Sequence, residues 1–386
     1  MKAAVIMPAA TQLGGAEQML LHLLRANRRA PSVDYHLAFL EEGPMIADTE
    51  SLGYPVQKLQ SGRLRDFHRC VATVRRLRGW LRREKPDVVL SWMGKAHLYA
   101  GPAAYLERIP AVWCQHAIPD THWINRYATR IPAAAIFCCS RASQQAQEQL
   151  RPHRPTRVVY PAVDLERFLP ERLPSPVEAR ARLGLPPERP IVGMVARLQR
   201  QKGVHVFLEA ACRVAQTHPD AYFVVVGGRY PLEPSFPEEL ERQIQQAGLE
   251  PRVHLAGQQT DIPLWMQAMD ILVMPSIYPE GFGMVVIEAM ALGKPVIASR
   301  SGGTVEIIEE GVDGLLVAPG DADAFAAAIR HTLNDTPGGR AFGPAAQRKA
   351  RLYGADRLSE TVAQRLQEVA LRSCREDPLP AQDWNL

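Results

Sequence analysis

Short apolar runs of strand length, recurring between longer helical patterns, constrain this chain more than any other feature. In the first half they are "KAAVIMPA", "DYHLAFL", "YPVQKL", "PDVVLSW", "PAVWCQH", "AAIFCCS" and "RVVYPAV". In the second they are "PIVGMVA", "AYFVVVGG", "RVHLAG", "DILVMPS", "PVIAS" and "GLLVA". Runs that are apolar throughout belong to strands buried on both faces, as in a parallel sheet covered by helices. A helix between successive runs supplies the crossover that a parallel pair needs. The two series are separated by a proline-rich stretch, Leu169 to Pro190, that includes "LPERLPSP" and "LPPERP". The expected fold is α/β, two Rossmann-like doubly wound parallel-sheet domains, with residues 1–170 and 171–366 as the domains and 367–386 as a mobile tail.

The bulk properties agree with two soluble domains: 386 residues, 46% apolar and 22% charged. The longest apolar run in the middle of the chain, "IPAAAIFCC", falls well short of the roughly 18 residues that a membrane span needs. The opening "MKAAVIMPAATQLGGAEQ" has a short apolar run broken by Pro8 and fits a first buried strand better than a leader. Cysteines at 70, 114, 138, 139, 212 and 374 show no CxxC spacing, which points to reduced thiols in a cytoplasmic protein, without a disulfide framework or zinc site.

One stretch demands a chemical explanation: "SIYPEGFGMVVIEAMALGKPVIAS", Ser276 to Ser299. Its helical part, roughly Met284 to Leu292, is apolar on every face and carries Glu288 as its sole charge, so the helix is expected to be buried. A buried carboxylate needs a structural partner or a polar ligand. Glu280 sits where strand "DILVMPS" ends, the edge at which open α/β sheets bind ligands. Gly281 and Gly283 leave backbone amides accessible at the helix start, a favourable place for an anion. Were the span helical throughout, the two carboxylates would lie about 12 Å apart along the axis, far more than the roughly 5 Å of a retaining glycosidase pair. The two glutamates therefore suit opposite ends of an elongated ligand with an anionic middle, the shape of a nucleotide diphosphate sugar.

The element "EGFGMVVIE", Glu280 to Glu288, followed by "AMALGKPVIAS", is similar to the E-x7-E signature of the retaining glycosyltransferases of family 4, the group 1 glycosyl transferases. "VARLQRQKG", Val195 to Gly203, resembles their G-R-L-x-x-x-K-G element, with Ala196 where glycine is usual. "LGGAEQMLLHLL", Leu13 to Leu24, resembles their first loop and helix. "VVYPAVDLERF" departs from the pattern, with Pro161 and Ala162 where the family often has Asn-Gly. The resemblance runs from Met1 to about Leu366. It implies a GT-B fold, two domains facing a central cleft, the first binding acceptor and the second nucleotide sugar.

Carried over by residue, the resemblance implies that Glu280 accepts hydrogen bonds from the sugar hydroxyls beside the amides of Gly281, Phe282 and Gly283, while Glu288 binds the ribose hydroxyls. Arg197 and Lys202 would neutralise the departing diphosphate in place of a metal, so no cofactor is expected. His116, in "WCQHAIP", would stand near donor sugar and acceptor, with His122 a weaker substitute. Gly14 and Gly15 would let backbone approach phosphate or acceptor at the first helix, and Glu306, in "SGGTVEII", would border the donor pocket. The implied reaction moves a hexose or related sugar, with retention at C1, from a UDP-sugar, or second from GDP-mannose, to a hydroxyl of a glycan or lipid-linked acceptor. A sugar-nucleotide 2-epimerase of the same fold and a non-catalytic nucleotide-sugar-binding protein are the alternatives. No G-x-G-x-x-G follows the first strand, which argues against a nicotinamide dehydrogenase, and "DAD", Asp321 to Asp323, suits a helix cap better than a metal pair.

Residues 1–170 carry 23 Lys and Arg against 14 Asp and Glu, net +9, and the remainder 22 against 27, net −5. Much of the excess lies in Arg63 to Lys85. There Phe67, Val71, Val74, Leu77 and Leu81 form an apolar stripe, the arginines lie off it, and Trp80 sits near the border. Packing of the stripe on the sheet is the favoured reading. The second is attraction to an anionic membrane surface, which would place the protein peripherally at the inner face of a membrane. Without aromatic interleaving, the basic patch gives no reason to expect a nucleic-acid partner.

Overall fold

The computed structural model describes residues 1–11, 14–61, 66–334 and 342–373. The chain forms two compact units, one built from Met1–Pro161 together with the chain from Ala355 onward, the other from Ala162–Gly354. Each apolar run named above is a strand.

In the first unit the strands are β1 (Lys2–Met7), β2 (Asp34–Phe39), β3 (Val56–Lys58), β4 (Val88–Trp92), β5 (Ala111–Gln115), β6 (Ala135–Cys138) and β7 (Thr156–Val158). They form one sheet of order β3-β2-β1-β4-β5-β6-β7, and every neighbouring pair is parallel. Val5 at the centre is level with Leu37 on one side and Leu90 on the other, and Ala3 through Met7 are fully buried. The helices are α1 (Gly15–Arg29), α2 (Pro44–Ser51), α3 (Phe67–Glu84), α4 (Gly94–Leu106), α5 (Trp123–Arg130) and α6 (Arg141–Gln149). Helix α3 packs on α4, and α4 on α5.

Along α3, Leu77, Trp80 and Leu81 are buried against Tyr99, Ala100 and Ala103 of α4, with Val74 packed beside them. Trp80 thus lies inside the core and not at its border. Arg78 and Arg82 both donate to Glu107, at 2.7 Å each, and these two guanidinium groups, Arg82 first, hold the Glu107 carboxyl below the usual carboxylate range.

The second unit contains α7 (Pro176–Arg182), β8 (Ile191–Val195), α8 (Val204–Ala215), β9 (Tyr222–Val226), α9 (Phe236–Gln246), β10 (Val253–Gly257), α10 (Ile262–Ala268) and β11 (Ile271–Met274). It continues with α11 (Met284–Ala291), β12 (Val296–Ser299), α12 (Thr304–Ile307), β13 (Leu315–Val317), α13 (Ala322–Asn334) and α14 (Phe342–Arg351). The sheet order is β10-β9-β8-β11-β12-β13, again parallel throughout. Asp321 caps α13, its carboxylate accepting from the Ala324 amide at 2.9 Å. The two ends of the unit meet, because Val163 and Gly354 form a parallel bridge and the Val163 amide donates to the Tyr353 carbonyl at 2.9 Å.

The division of the chain differs from the expected 170/171 boundary in two respects. The second unit starts at Ala162 and not at 171, and the proline-rich stretch lies within it, as expected: Ser175 caps α7 through the Glu178 amide at 3.3 Å, with Pro176 in the first turn. Buried Arg180 on that helix donates to the carbonyls of Ala268 and Pro187 at 2.9 Å each and to Asp270 at 2.6 Å. At the other end, α15 (Ala355–Ser373) runs through the expected end of the second domain at 366 and into the expected tail, and it packs on α1 of the first unit. Leu13, Arg63–Arg65, Cys374 and the rest of the expected tail lie outside the described residues. Cys70, Cys114, Cys138, Cys139 and Cys212 form no disulfide with one another. Among the described residues, no helix is long and apolar enough to cross a membrane.

Candidate active site

Four loops at the carboxyl edge of the second sheet carry the residues singled out in this half. The loop after β8 ends in a turn of 3₁₀ helix, Arg200–Lys202, and Gly203 follows with φ +71°. A methyl group on Gly203 would sit 1.9 Å from the Pro275 carbonyl oxygen, so glycine is needed for the loop after β8 to lie against the loop after β11. The Gln201 carbonyl then accepts from the Ile277 amide at 2.9 Å. This joint brings Lys202 Nζ to 2.7 and 2.9 Å from the two oxygens of Glu280, and Ser276 Oγ donates to the same carboxylate. Glu280 itself is not helical. Its backbone bridges to Gly302, where φ is +61° and an added methyl would meet the Glu280 carbonyl oxygen at 2.1 Å. The Gly303 amide donates to that carbonyl at 2.9 Å. The glycine turn before α12, the helix that carries Glu306, therefore fixes the backbone from which Glu280 projects.

Arg197 is held by a continuation of the β8–β9 ladder beyond the strands. The Ala196 amide donates to Val226 and the Leu198 amide to Gly228, both at 2.9 Å. That places the Arg197 guanidinium over the Tyr230 ring, 5.0 Å from its centroid, an arrangement that steadies a cation while leaving its N–H edge open to an anion. Arg200 is committed elsewhere, to Glu239 and the face of Phe236 on α9.

Glu288 lies on α11, which starts at Gly283 with φ +109°. It is 9% exposed, and among the described residues no hydrogen bond or ion pair reaches its carboxyl. Burial pushes that carboxyl up to about 7, while Arg167 acts in the opposite direction. Arg167 owes its place to Asp164, whose carboxylate accepts from the amides of Glu166 at 3.2 Å and Arg167 at 3.4 Å. Phe282, offered above for its amide, buries its ring edge-on against Tyr353 at 5.4 Å. Lys202 and Glu280 thus meet directly, with Gly281, Phe282 and Gly283 following Glu280 in the same loop, Arg197 in the loop that carries Lys202, and Glu288 in the helix that follows the glycine turn. Ser276, Tyr230 and Arg167 bear on them from positions that the sequence did not single out, although Ser276 opens the very stretch that raised the question.

In the first unit, His116 follows β5. Its ring lies 4.7 Å from that of Trp92 at the end of β4, and Trp92 Nε1 donates to the Ala16 carbonyl at 2.8 Å. The first turn of α1, with Gly14 and Gly15 at its start, is thereby tied to the strand end beside His116. Burial lowers the His116 ring to about 3, and its Nε2 is buried without a hydrogen-bond partner. A neutral imidazole with one unsatisfied nitrogen can donate to, or accept from, a hydroxyl. His122 instead caps α5, Nδ1 accepting from the Ile124 amide at 3.5 Å.

Residues 177–349 match the model of the family described as glycosyl transferases group 1, and residues 13–167 that of glycosyltransferase family 4. The chain is 34% identical over 185 residues to a lipopolysaccharide core biosynthesis mannosyltransferase, LpsB of Rhizobium meliloti, covering 47% of this chain and 52% of that protein. It is 33% identical over 256 residues to a D-inositol 3-phosphate glycosyltransferase of Streptomyces coelicolor, covering 61% and 56%. The chain thus spans about half the length of these relatives. Among solved structures, Anabaena Alr3699/HepE in complex with UDP and glucose superposes with a TM-score of 0.85 at 27% identity, over 95% of this chain and 99% of that one. The same protein in complex with UDP-glucose gives the same score and identity.

Proposed function

We propose that this chain, which belongs to the group 1 glycosyltransferases and has the two parallel-sheet α/β domains of the GT-B fold, moves a hexose or related sugar from a nucleotide diphosphate sugar to a hydroxyl of a glycan or lipid-linked acceptor, with retention at C1. The observation that carries the donor assignment is Glu288: a buried carboxyl that no hydrogen bond or ion pair reaches among the described residues, on the helix that follows the loop in which a lysine holds Glu280. Ribose hydroxyls would satisfy the first. Sugar hydroxyls would engage the second, which Lys202 and Ser276 hold in a fixed orientation. The diphosphate would lie between them, facing Arg197 and Lys202, whose fixed charges stabilise the negative charge that develops on the leaving group as the bond to C1 breaks. These cations do the work that a metal does elsewhere, so the transfer is proposed to be metal-independent.

Lys202 also couples the two ends of the donor, since the ammonium that would meet phosphate already orients the carboxylate that would meet sugar. His116 would present its free nitrogen to a hydroxyl of the sugar or acceptor. Retention with no carboxylate assigned as nucleophile favours a front-face route, in which the leaving phosphate takes the acceptor proton. UDP is the favoured base because the Anabaena relative was solved with UDP and UDP-glucose. GDP-mannose is second, in keeping with the mannosyltransferase among the relatives. Cytoplasmic placement, with peripheral attachment to the inner face of a membrane, is proposed along with a lipid-linked acceptor.

The test is a thermal-shift panel of UDP, GDP, ADP and their sugar conjugates in metal-free buffer, on wild type and Glu288→Ala, followed by mass-spectrometric detection of donor turnover. One nucleotide class should stabilise the wild type and not the variant, and its sugar conjugate should be consumed. An equal response from the variant, or none from either protein, overturns the assignment.

A further inference from the structure

Helix α5 presents an outward face with a composition that packing does not require. Trp123, Arg126, Tyr127 and Arg130 are all exposed, at the i, i+3, i+4, i+7 spacing that places them on one side of a helix. Trp123 is 50% and Tyr127 58% exposed, and their rings meet edge to face at 5.9 Å. Among the described residues neither Arg126 nor Arg130 has an ion pair. The opposite side anchors the helix: Ala128 and Thr129 are buried, and Thr129 Oγ1 accepts from Gln147 at 2.8 Å. His122 caps the start, and Asp120 is occupied with the His122 amide and the Asn125 side chain, at 2.9 and 2.8 Å. The Asp120 carboxylate is therefore engaged at the helix start. Single exposed aromatics are ordinary. Two aromatics in edge-to-face contact, flanked by two guanidinium groups without an ion pair among the described residues, form a patch of the kind that serves as a binding hot spot.

The position of the patch selects its ligand. Helix α5 begins seven residues after His116, at the carboxyl edge of the sheet where α/β units bind ligands, in the same connection as the unsatisfied His116 Nε2. We infer that the Trp123–Arg126–Tyr127–Arg130 face is an acceptor subsite for an anionic saccharide, the aromatic rings stacking on pyranose faces and the two guanidinium groups holding a phosphate or carboxylate on the acceptor. The basic helix α3 is a poorer candidate, since Arg78 and Arg82 are both held by Glu107, Arg76 donates to the Gln60 carbonyl, and the aromatic Trp80 is buried in the core. The subsite rests on the glycosyltransferase reading and names the chemical class of its acceptor.

The experiment titrates the full chain with four probes: a short-chain prenyl-diphosphate disaccharide, a uronate-containing disaccharide, the neutral disaccharide, and phosphatidylcholine vesicles with and without phosphatidylglycerol. UDP is titrated in parallel. At least one charged saccharide should bind about tenfold more tightly than the neutral one, the gap expected of a hydrogen bond to a charged group. Which of the two binds distinguishes a diphosphate from a carboxylate source. Trp123→Ala should weaken every saccharide roughly three- to tenfold, with Trp123→Phe restoring much of it. The double variant Arg126→Gln, Arg130→Gln should erase the charge preference while sparing neutral binding. UDP affinity should stay constant in all of them, which separates loss of the subsite from loss of the donor site. Saccharide binding that ignores these substitutions, or no saccharide binding to wild type, overturns the inference. So does capture by anionic vesicles alone, which would make the face a membrane contact.

Discussion

Replacing Glu288 with glutamine should make the protein more stable and less able to bind its donor. The Glu288 carboxyl is pushed from 4.5 to about 7 by burial, and each pH unit of such a difference corresponds to about 1.4 kcal/mol. Its ionisation therefore costs the folded state about 3 kcal/mol. Because the folded value is raised, the folded state holds the proton more tightly than the unfolded chain. The cost is absent below about pH 4.5, grows as pH rises, and is complete above about 7. A neutral glutamine escapes it. For a unit of this size the gain corresponds to about 6–12 °C in Tm at pH 8, with little difference at pH 5. Scanning calorimetry of both proteins at the two pH values measures it directly. UDP at a thousand times its Kd should then reverse the order, since it adds about 4.1 kcal/mol to the wild type alone. A variant less stable than wild type at pH 8, or a difference that does not depend on pH, would refute the reasoning, because Glu288 would then have a structural partner that holds it ionised.

Lys202→Met should lower kcat about a hundredfold or more, on the scale of losing one preorganised transition-state charge contact; steady-state turnover with saturating donor checks this. Tyr230→Ala should raise the donor KM about two- to tenfold by freeing Arg197, and Tyr230→Phe, which keeps the ring face, should restore it. Gly302→Ala, forced against the Glu280 carbonyl at a positive φ, should abolish turnover and cost at least about 1 kcal/mol of stability, as seen in a denaturant titration. Burial lowers His97 to about 4, so its contribution is intact above about pH 6.5 and is lost as pH falls toward 4, at about 1.4 kcal/mol per pH unit. His97→Phe should flatten the acid limb of the stability profile by that slope.

The strands were legible because a strand buried on both faces must be apolar along its whole length, a constraint that each run satisfies by itself. The burial of Glu288 was legible for the converse reason: a charge in an all-apolar helix is conspicuous. What escaped was pairwise. Nothing in "GRYP" announces that Tyr230 lies under Arg197, since the contact arises from the β8–β9 ladder continuing past the strands. Arg167, placed by a turn set by Asp164, acts on Glu288 through its charge alone, in a stretch where Pro161 and Ala162 drew attention to a departure from the family pattern. The prolines of 169–190 marked the gap between the two strand series, and the helix start formed there by Ser175 and Pro176 went unread. The allegiance of α15 could not be read locally, because it depends on packing against α1, more than three hundred residues earlier in the chain.

That last helix changes what kind of object the second unit is. With α15 returned to the first unit and Val163 bridged to Gly354, residues 162–354 form an insertion whose two ends lie side by side, as in a cassette. During synthesis the insert can complete its own sheet before the ribosome has delivered α15 to its host, so the second unit can close before the first does. Apposed ends also make the insert exchangeable between relatives at one pair of joints, with α15 left on the host, whereas a cut near 170 that swaps everything downstream would separate α1 from the helix packed on it.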